Sequence, residues 1–372
     1  MRQPQVVVDQ DHHPNSAVRR HRHAADRYEA TAVNESVRAP VMADVARLAG
    51  VSHMTVSRVI NGSPKLRPET RDRVLQAIER LGYRPNTAAQ ALGRGRSGVI
   101  GIIATGGVEF GPASIHRTVE QAARDAGYLA SSVNLADMTR EALDGAVEHL
   151  MTVGVEGIVM IAGLDSALEI VRAQRSGLPF VVVEGDLSKD SLTVGVDQVQ
   201  GARMATEHLL ELGHREILHI SGPLDWTEAR ARRDGWRAAM RDGGERPAEP
   251  LLGDWSSRSG FAAGQAVCEM PEVTAVFAAN DQMAIGVLRA LHEGGRSVPD
   301  DISVVGFDDV PEAGYLIPPL TTVRQDFPAV GRRAIEVIRT ALTGGPLTPS
   351  PLLAPTLVVR ASTAPPPGTG TT

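Results

Sequence analysis

Three short apolar runs in this sequence each end on a carboxylate or an amide. Glu184 follows FVVV, Asn280 and Asp281 follow VFAA, and Asp308 and Asp309 follow ISVVGF. Short apolar runs rich in β-branched residues are typical of buried strands in parallel sheets. Ligands of such sheets bind beyond the carboxyl ends of the strands. Oxygen atoms gathered there could accept hydrogen bonds from the hydroxyl groups of a small molecule such as a sugar.

A hydrogen-bond donor and an aromatic surface for the same ligand are predicted at two further positions. Arg232 lies near the start of a predicted helix, and its guanidinium group carries five N–H donors. Trp255 stands in the loop-like stretch GDWS, where its ring could cover the apolar face of a sugar. Two alternatives stay open: Arg232 could pair with Glu228 or Asp234 of its own helix, and Trp255 could anchor a surface loop.

Some of these polar residues could have a purely structural role. Asn280 and Asp281 open a predicted helix, so one of the two must cap it. We assign the cap to Asp281 and the ligand contact to Asn280. Asp308 and Asp309 could likewise be helix caps.

A second group of polar residues, nearer the N-terminus, suits nucleic acid better than a small molecule. In the predicted helix over 53–60, Val56 and Val59 can face inward. The opposite face carries His53, Met54, Ser57 and Arg58. Arg58 could form a bidentate pair with guanine, and the hydroxyl groups of Ser52 and Thr55 at the helix start suit phosphate.

Three short helices are predicted around these residues. Their periodicity gives Met42–Ala49, His53–Ile60 and Pro68–Leu81. Gly50 suits the left-handed cap of the first helix, and Ser52 suits the N-cap of the second. Two short helices joined by a four-residue turn that contains glycine are the signature of a helix-turn-helix, whose second helix enters the major groove of DNA.

The charge distribution agrees with a nucleic-acid partner for this segment. Residues 41–96 hold ten lysines and arginines against four acids, whereas the whole chain has a formal net charge of −6. A basic module attached to an acidic body is the electrostatic pattern of a DNA-binding protein. We therefore expect double-stranded DNA to be a partner of this segment.

The stretch AGVSHMTVSRVINGSP, followed by TRDRVLQAIERLGYRPNTAAQAL, resembles the DNA-binding headpiece of the lactose-repressor/galactose-repressor (LacI/GalR) family. The resemblance implies a helix-turn-helix headpiece over 41–84, followed by a hinge helix and linker over 85–96. It makes Leu92 an apolar wedge in the minor groove, a device that unstacks and kinks DNA. Asn86 and Ala89 match the same hinge motif, and we include Asn61 among the DNA-binding residues.

Two positions of the headpiece depart from the family pattern. Val41 replaces the Thr or Ser that usually caps the first helix, and Arg67 replaces the Ser that usually caps the third. A missing N-cap costs about 1 kcal/mol. We therefore expect a headpiece of marginal stability with an intact DNA-reading face.

The composition excludes several classes of protein and site. The single cysteine, Cys268, rules out a disulfide within the chain and a cysteine zinc cluster, and it favours a cytoplasmic location. No apolar run approaches the ~18–20 residues that span a bilayer. Residues 1–39 lack the apolar core of a signal peptide and any sustained period. We expect 1–39 and 361–372 to be disordered, and we expect no metal and no cofactor.

From Gly98 onward, predicted strands alternate with predicted helices. This alternation predicts right-handed crossovers onto parallel sheets. The number of units indicates two doubly wound lobes with a ligand cleft between them. We place the first lobe at 97–195 and 326–345, and the second lobe with its return strand at 196–325 and 351–360. The overall class is an all-α headpiece followed by a two-lobed α/β body.

The resemblance continues through this body and is greatest to the lactose-repressor-like branch of the family. It implies the fold of periplasmic sugar-binding proteins and an effector site between the lobes. The segments GPLDWTEARARRDGW, GDWSSRSGF, ANDQMA, GFDD and TTVRQDF carry it. With Glu184, where the lactose-type branch has aspartate, the implied effector residues are Arg232, Trp255, Asn280, Asp308, Gln325 and Phe327.

These observations favour a homodimeric repressor that a sugar releases from a pseudopalindromic operator. Through the GPL and GDWS segments, the resemblance to the lactose-repressor-like branch implies a galactoside or a β-glucoside-like sugar. One alternative is the same fold with its ligand as a corepressor. A second is a glycosidase that uses Glu184 and Asp308, but the sequence has no supporting catalytic motif, so we expect a protein that is not an enzyme. A third, a transport sugar-binding protein, leaves the headpiece unexplained.

Overall fold

The computed structural model describes residues 38–63, 65–84, 96–105, 109–136, 139–161, 163, 177–184, 192–349 and 351–368. The chain divides into two units, one ending at Pro85 and the other beginning at Asn86. We call them the headpiece and the body. None of the helices in the described ranges is long and apolar enough to cross a membrane.

The headpiece is a bundle of three helices. They are α1 (Met42–Ala49), α2 (His53–Ile60) and α3 (Pro68–Leu81). Gly50 and Gly82 end α1 and α3 with φ angles of 63° and 60°, the left-handed conformation that glycine adopts without strain. The buried core consists of Val45, Ala46, Ala49, Val56, Val59, Val74, Ala77 and Tyr83. Its small aliphatic side chains hold the three helices close together.

The two unusual cap positions differ in how well they are compensated. Val41 has no side-chain acceptor, but its own N–H donates to Asp44 at 3.0 Å. This backbone hydrogen bond, assisted by Arg38 and Arg47, lowers the pKa of the Asp44 carboxyl group. Arg67 makes no side-chain cap bond to α3. The start of α3 therefore has the weaker cap. Pro68 in its first turn has no N–H, so it relieves only one of the backbone groups there that need a hydrogen-bond partner.

The first lobe of the body is built on a sheet of five parallel strands. They are β1 (Val99–Thr105), β2 (Leu129–Leu135), β3 (Gly157–Ile161), β4 (Phe180–Val183) and β5 (Thr193–Val194). Their order is β2-β1-β3-β4-β5, the pattern of a doubly wound sheet. Two crossover helices, α4 (Phe110–Asp125) and α5 (Arg140–Val153), cover opposite faces of the sheet.

Helix α4 begins earlier than the sequence pattern predicts. Periodicity gives a start at Ser114, but the helix starts at Phe110 and includes Gly111 and Pro112. A proline in the first turn is tolerated because the first four N–H groups of a helix have no partner within it. The predicted helix over 167–176 lies outside the described residues.

The second lobe contains a sheet of six strands. They are β6 (Ile217–Ser221), β7 (Leu251–Leu252), β8 (Ala275–Ala278), β9 (Ser303–Asp308), β10 (Thr321–Arg324) and β11 (Thr356–Val358). The order is β11-β10-β9-β8-β6-β7, and all pairs are parallel except β10 with β11. The helices of this lobe are α6 (Gln198–Glu211), α7 (Thr227–Asp242), α8 (Ser257–Cys268) and α9 (Asp281–Glu293), with a 3₁₀ turn at Ala313–Tyr315.

The last helix of the body returns to the first lobe. Helix α10 (Phe327–Leu342) buries Val330 and Ile338 in the core of the first sheet. The chain therefore passes between the lobes three times, after β5, after β10 and after α10. Two of these crossings pair with each other, because Leu353 N donates to Gly195 O at 3.0 Å and Asp197 N donates to Leu353 O at 2.9 Å.

The segment after β11 corrects one expectation from the sequence. We expected 361–372 to be disordered, but Ser362 is fully buried. Its Oγ donates to Val304 O at 2.6 Å and accepts from Thr321 N at 2.8 Å. Ala364 O accepts from Ser303 Oγ at 3.0 Å. Small polar residues and prolines leave no hydrophobic period, so hydrogen bonding of this kind is invisible to sequence periodicity.

Candidate functional site

A cavity opens between the two lobes at the carboxyl ends of their strands. It encloses about 570 Å³ of empty space, including its opening to solvent. The seven effector residues expected from the sequence all line it: Glu184, Arg232, Trp255, Asn280, Asp308, Gln325 and Phe327. It also has lining residues that the sequence did not single out, among them Glu109, Phe110, Gly163, Trp226 and Glu228.

Arg232 is the buried cation of this cavity. Its Nε donates to Gln198 Oε1 at 2.9 Å and its Nη1 donates to Ala279 O at 2.5 Å. Its Nη2 lies 3.5 Å from Asp308 Oδ1, and its guanidinium plane lies over the Phe307 ring, 3.9 Å from the centroid. Arg232 therefore does not pair with the acids of its own helix, and its planar group is held in one orientation.

Asp308 is held at the end of β9 by groups from two other elements. Its Oδ1 accepts a hydrogen bond of 2.7 Å from Gln325 Nε2 in addition to the contact with Arg232. Burial raises the pKa of Asp308 to about 6, against the opposing effects of Arg232 and Gln325. The carboxyl group thus lies fixed at the wall of the cavity with acceptor capacity to spare.

Gln198 connects the polar groups of the two lobes, and the sequence did not indicate it. It is the first residue of α6, directly after a crossing. Its Nε2 donates to Glu184 Oε2 at 2.9 Å and to Gln325 Oε1 at 2.8 Å, while its Oε1 accepts from Arg232. All four residues of this network are buried, so a group that lost its hydrogen bond here could not bind water in its place.

Two glutamates from different lobes carry raised pKa values in the same cavity. Burial raises the pKa of Glu184 to about 8, and the nearby Glu228 carboxylate raises it further while Arg232 lowers it. Burial raises the pKa of Glu228 to about 7, against the effects of its own N–H, Arg232 and Thr227. From the sequence, Glu228 is predicted only as a possible partner of Arg232, because a glutamate in the first turn of a helix usually faces solvent.

Aromatic rings from both lobes form the apolar part of the wall. Phe110 and Phe327 pack edge to face with centroids 6.0 Å apart, and so do Trp226 and Trp255 at 5.9 Å. Trp255 is 7% exposed and is therefore not a surface-loop anchor. Flat rings beside buried carboxyl groups suit a ligand with apolar ring faces and polar edges, as sugars have.

The assignment of the cap at the start of α9 was wrong. Asn280, not Asp281, caps the helix, because its Oδ1 accepts from Met283 N at 2.9 Å. Its Nδ2 donates to Trp255 O at 3.0 Å, so Asn280 positions Trp255 as well as lining the cavity. Asp281 is buried beneath, where it accepts from Thr322 Oγ1 at 2.6 Å. Asparagine and aspartate are nearly equal caps, so sequence alone could not choose between them.

Asp309 points away from the predicted ligand site. Its two carboxylate oxygens accept hydrogen bonds of 2.6 Å from Arg324 and Arg360. Neither Asp308 nor Asp309 caps a helix, since the following 3₁₀ turn is preceded by Glu312. Of the two consecutive aspartates, Asp308 therefore lines the cavity, whereas Asp309 has a structural role in ion pairs with Arg324 and Arg360.

The backbone at this cavity is conformationally unusual. Of the residues that the structure describes, four that are not glycine have positive φ angles: Glu184 (66°), Trp255 (72°), Asp308 (110°) and Asp309 (54°). Such angles are uncommon outside glycine and cluster at functional sites. Three of the four are cavity residues, so the local strain coincides with the place where side chains must be aimed at a ligand.

The structure places the predicted DNA-reading residues on one face of the headpiece. Met54 is 64% exposed, and His53 and Arg58 are exposed, whereas Val56 and Val59 are buried. Ser52 Oγ accepts from Thr55 N at 3.1 Å and so caps α2. Asn61 Nδ2 donates to Ser57 Oγ at 3.3 Å at the other end of the helix. The remaining predicted DNA contacts, Asn86, Ala89 and Leu92, lie outside the described residues.

Comparison with known proteins gives these two sites a common context. Bacterial regulatory proteins of the lacI family match residues 41–86, and the periplasmic binding protein-like domain matches residues 206–363. The lactose operon repressor of Escherichia coli K12 is 35% identical over 328 residues, which cover 87% of this chain and 90% of that repressor. This chain belongs to the lacI family of bacterial regulatory proteins.

Other members of the lacI family agree in sequence and fold. The HTH-type transcriptional regulator CelR of Thermobifida fusca is 35% identical over 342 residues, which cover 88% of this chain and 99% of CelR. A crystal structure of the lac repressor dimer bound to operator and the anti-inducer ONPF has 32% identity and a TM-score of 0.79 over 87% of this chain and 99% of that one. A CelR–cellobiose complex has 33% identity and a TM-score of 0.65, with the same coverage.

Membership of the lacI family decides between the classes of function considered above. The similar proteins are transcriptional repressors and regulators. The chain is therefore a DNA-binding regulator and not a glycosidase. The headpiece likewise sets it apart from transport proteins that share the two-lobed fold.

Proposed function

We propose that this lacI-family protein is a repressor that leaves its operator when an uncharged sugar binds between the two lobes of the body. The observation that carries this proposal is the buried Arg232–Asp308 pair beside Trp255, at the strand ends where the lobes meet. Carboxyl groups and a fixed guanidinium group can bind hydroxyl groups, and the indole ring can cover a sugar face.

The charges of the cavity support a neutral ligand over a phosphorylated one. Among the described lining residues Arg232 is the one basic side chain, and three of its nitrogens already bind Gln198, Ala279 and Asp308. A phosphate group would have to enter beside four acids, Glu109, Glu184, Glu228 and Asp308, without a free cation among the described lining residues, which is unfavourable in a desolvated site. A galactoside or a β-glucoside-like sugar fits, and the similarity to the lactose operon repressor and to the CelR–cellobiose complex supports this class.

We propose further that a homodimer reads a pseudopalindromic operator through the exposed face of α2. The residues expected to contact DNA are Ser52, His53, Met54, Thr55, Ser57, Arg58 and Asn61. The basic headpiece supplies phosphate contacts, and a two-fold dimer matches two half-sites. The similar lac repressor structure is a dimer on operator DNA. A DNA partner implies a cytoplasmic protein that is associated with the nucleoid when bound.

Release requires that the sugar bind one conformation of the protein more tightly than the other. Groups of both lobes line the cavity, so a ligand that contacts Glu184 from one lobe and Arg232 from the other would favour one relative position of the lobes. The same coupling with the opposite sign would make the ligand a corepressor. The sign is thus a matter for experiment.

A DNA-binding assay with a panel of sugars tests the proposal. Fluorescence anisotropy with palindromic DNA from upstream of its own gene should show binding by the full chain, and cellobiose, lactose or a related β-glycoside should weaken it. Arg58→Ala should lose DNA binding, whereas Arg232→Ala should keep DNA binding and lose the response to sugar. Tighter binding with sugar would support the corepressor alternative, and indifference to every sugar would overturn the proposal.

A further inference from the structure

Glu228 is a buried acid of the cavity with few partners. It lies in the first turn of α7 and is 9% exposed. Its carboxyl group packs directly on the backbone of Gly163 from the other lobe, where any side chain would overlap it. Apart from Thr227 and its own N–H, the described residues offer this carboxyl group no hydrogen-bond partner. The arrangement places a carboxyl group with spare capacity at the junction of the two lobes.

The hydrogen bonds around Thr227 show how this carboxyl group is held. Thr227 Oγ1 lies 2.9 Å from Gly163 O, 2.9 Å from Glu184 O and 3.2 Å from Glu228 Oε2. A hydroxyl group has one hydrogen, so it can donate to one of these three oxygens. Gly163 O already accepts from Thr227 N at 2.7 Å. The Thr227 hydroxyl group therefore donates best to Glu184 O. The contact between Thr227 Oγ1 and Glu228 Oε2 then has no hydrogen, unless the carboxyl group of Glu228 supplies one.

We propose that Glu228 serves the ligand site as an uncharged carboxylic acid, which donates its Oε2 hydrogen to Thr227 and accepts a ligand hydroxyl hydrogen at Oε1. In this arrangement every oxygen of the junction has a partner. The inference rests on the proposed function and sharpens it: the ligand presents a hydroxyl group to Glu228 and carries no phosphate or carboxylate group.

The charged groups that face Glu228 agree with a neutral state. Arg230 and Arg232 lie on its own helix, but Arg230 donates to Leu224 O and Arg232 is held by Gln198 and Asp308. Among the described residues, the charged groups from other elements that line the cavity are acids: Glu109 at the start of α4, Glu184 at the end of β4 and Asp308 at the end of β9. Burial raises the pKa of Glu228 to about 7, in the same direction.

An independent feature of the cavity also calls for a hydroxylated ligand. The Nε1–H of Trp255 is buried and has no hydrogen-bond partner within the described part of the chain. Buried donors without a partner are rare in folded proteins. A hydroxyl oxygen in the cavity could accept from Trp255 while the hydroxyl hydrogens of the ligand bind Glu228 and Glu184. The cavity therefore offers both a donor and acceptors, which matches a polyol better than an amine.

The protonation of Glu228 can be tested without any ligand. Infrared spectra of the full chain at pH 6 should contain C=O stretching bands of buried carboxylic acids, because burial raises the pKa of Glu184 and Asp281 as well, and one component of these bands should be lost in Glu228→Gln. The exposed Glu312→Gln is the matched control and should leave the spectrum unchanged. Carboxylic acid bands that are the same in Glu228→Gln as in the unchanged protein would overturn the assignment, as would a spectrum with no carboxylic acid band at pH 6.

The ligand contact is tested by the pH dependence of affinity, with cellobiose and lactose as probes. Further removal of water on binding should favour the neutral acid, so affinity should fall as pH rises from 6 to 8.5, by about tenfold for each unit by which the ligand raises the pKa. Glu228→Gln, which keeps one donor and one acceptor, should bind with an affinity that depends less steeply on pH, because only Glu184 and Asp308 of the acids proposed to bind the ligand still titrate in this range. An equally steep pH dependence in this variant would overturn the contact.

These two experiments separate the inference from the function on which it rests. If neither probe releases DNA, the proposed sugar class fails, and the infrared band still decides the protonation of Glu228. If a sugar releases DNA while Glu228→Gln has the same infrared spectrum as the unchanged protein, the proposed function stands and the role of Glu228 is refuted.

Discussion

The side-chain amide of Gln198 donates a hydrogen bond of 2.8 Å to Oε1 of Gln325. Gln198 directly follows the crossing after β5, and Gln325 lies in the crossing after β10. The bond therefore ties two of the three connections between the lobes to each other, at the floor of the cavity. Since each glutamine also holds a carboxyl group of the site, the ligand-binding groups and the connections form one network.

Replacing Gln198 with leucine should destabilise the body strongly. The change keeps the bulk but removes one buried hydrogen-bond partner from each of Glu184, Gln325 and Arg232. Unsatisfied buried groups cost 1–3 kcal/mol each, so a loss of about 3 kcal/mol is expected in the free energy of unfolding by urea. The exposed Gln200→Leu on the same turn is the control. Equal stability of the two variants would show that the network contributes nothing.

Replacing Arg232 with lysine should uncouple the sugar from DNA. A single ammonium group cannot reach Gln198, Ala279 and Asp308 together, and it loses the stacking on Phe307. We expect DNA affinity within about twofold of the unchanged protein and sugar affinity lower by at least about tenfold, the loss of one charge-assisted hydrogen bond. Arg233→Lys, which alters a surface pair with Asp234, should change neither quantity. Calorimetry and anisotropy measure the two affinities.

The ligand-free body should lose stability as pH rises from about 5 to about 8. Burial raises the pKa of Glu184 and of Asp281 to about 8 and that of Asp308 to about 6. The folded state therefore binds more protons than the unfolded chain in this window, so the stability present at low pH is lost as pH passes through the folded-state pKa values. Urea midpoints at pH 5, 6.5 and 8 measure this trend. A rising midpoint would contradict the raised pKa values.

The start of α3 offers a direct way to stabilise the headpiece. Arg67→Ser should supply the missing N-cap acceptor and stabilise this helix by about 1 kcal/mol, whereas Ser52→Ala should cost α2 about the same. Hydrogen exchange of the helical amides in the full chain reports both changes. Arg73→Ser, an exposed substitution inside α3, controls for composition and should slightly weaken the helix. Slower hydrogen exchange of the α3 amides in Arg73→Ser would contradict the explanation that Arg67→Ser acts by capping the helix.

Gly222 should be irreplaceable because of Trp255. A Cβ at this position would overlap the benzene edge of the indole ring, so Gly222→Ala must displace the ring from the cavity wall. We expect altered tryptophan emission and weaker sugar binding. Gly145→Ala, in a helical position where a Cβ meets no other atom, should stabilise the body by up to about 1 kcal/mol. Unchanged emission and affinity in Gly222→Ala would mean that Trp255 does not bind the ligand.

Sequence patterns predicted those parts of the cavity that follow directly from secondary structure. Glu184 and Asp308 end apolar strands, and parallel strands bring their ends together, so their meeting could be expected. Gln198 and Glu228 open helices, where polar residues are ordinary caps and surface groups. Their burial depends on how the two lobes pack, and no local pattern records that. The cap was assigned to Asp281 instead of Asn280 for the same reason. The position of Asp281 depends on its hydrogen bonds with Thr322 and Val310, which a local sequence pattern does not show.

The hydrogen bonds made by Ser362 have a practical consequence for anyone handling this protein. Removal of the residues after Arg360, by a protease or by a stop codon, would strip β9 of backbone partners at Val304 and expose Ser303. Because β9 carries Asp308, such trimming would reach the effector cavity from the far end of the strand. Purification tags and fused reporters therefore belong beyond residue 368 or at the other terminus.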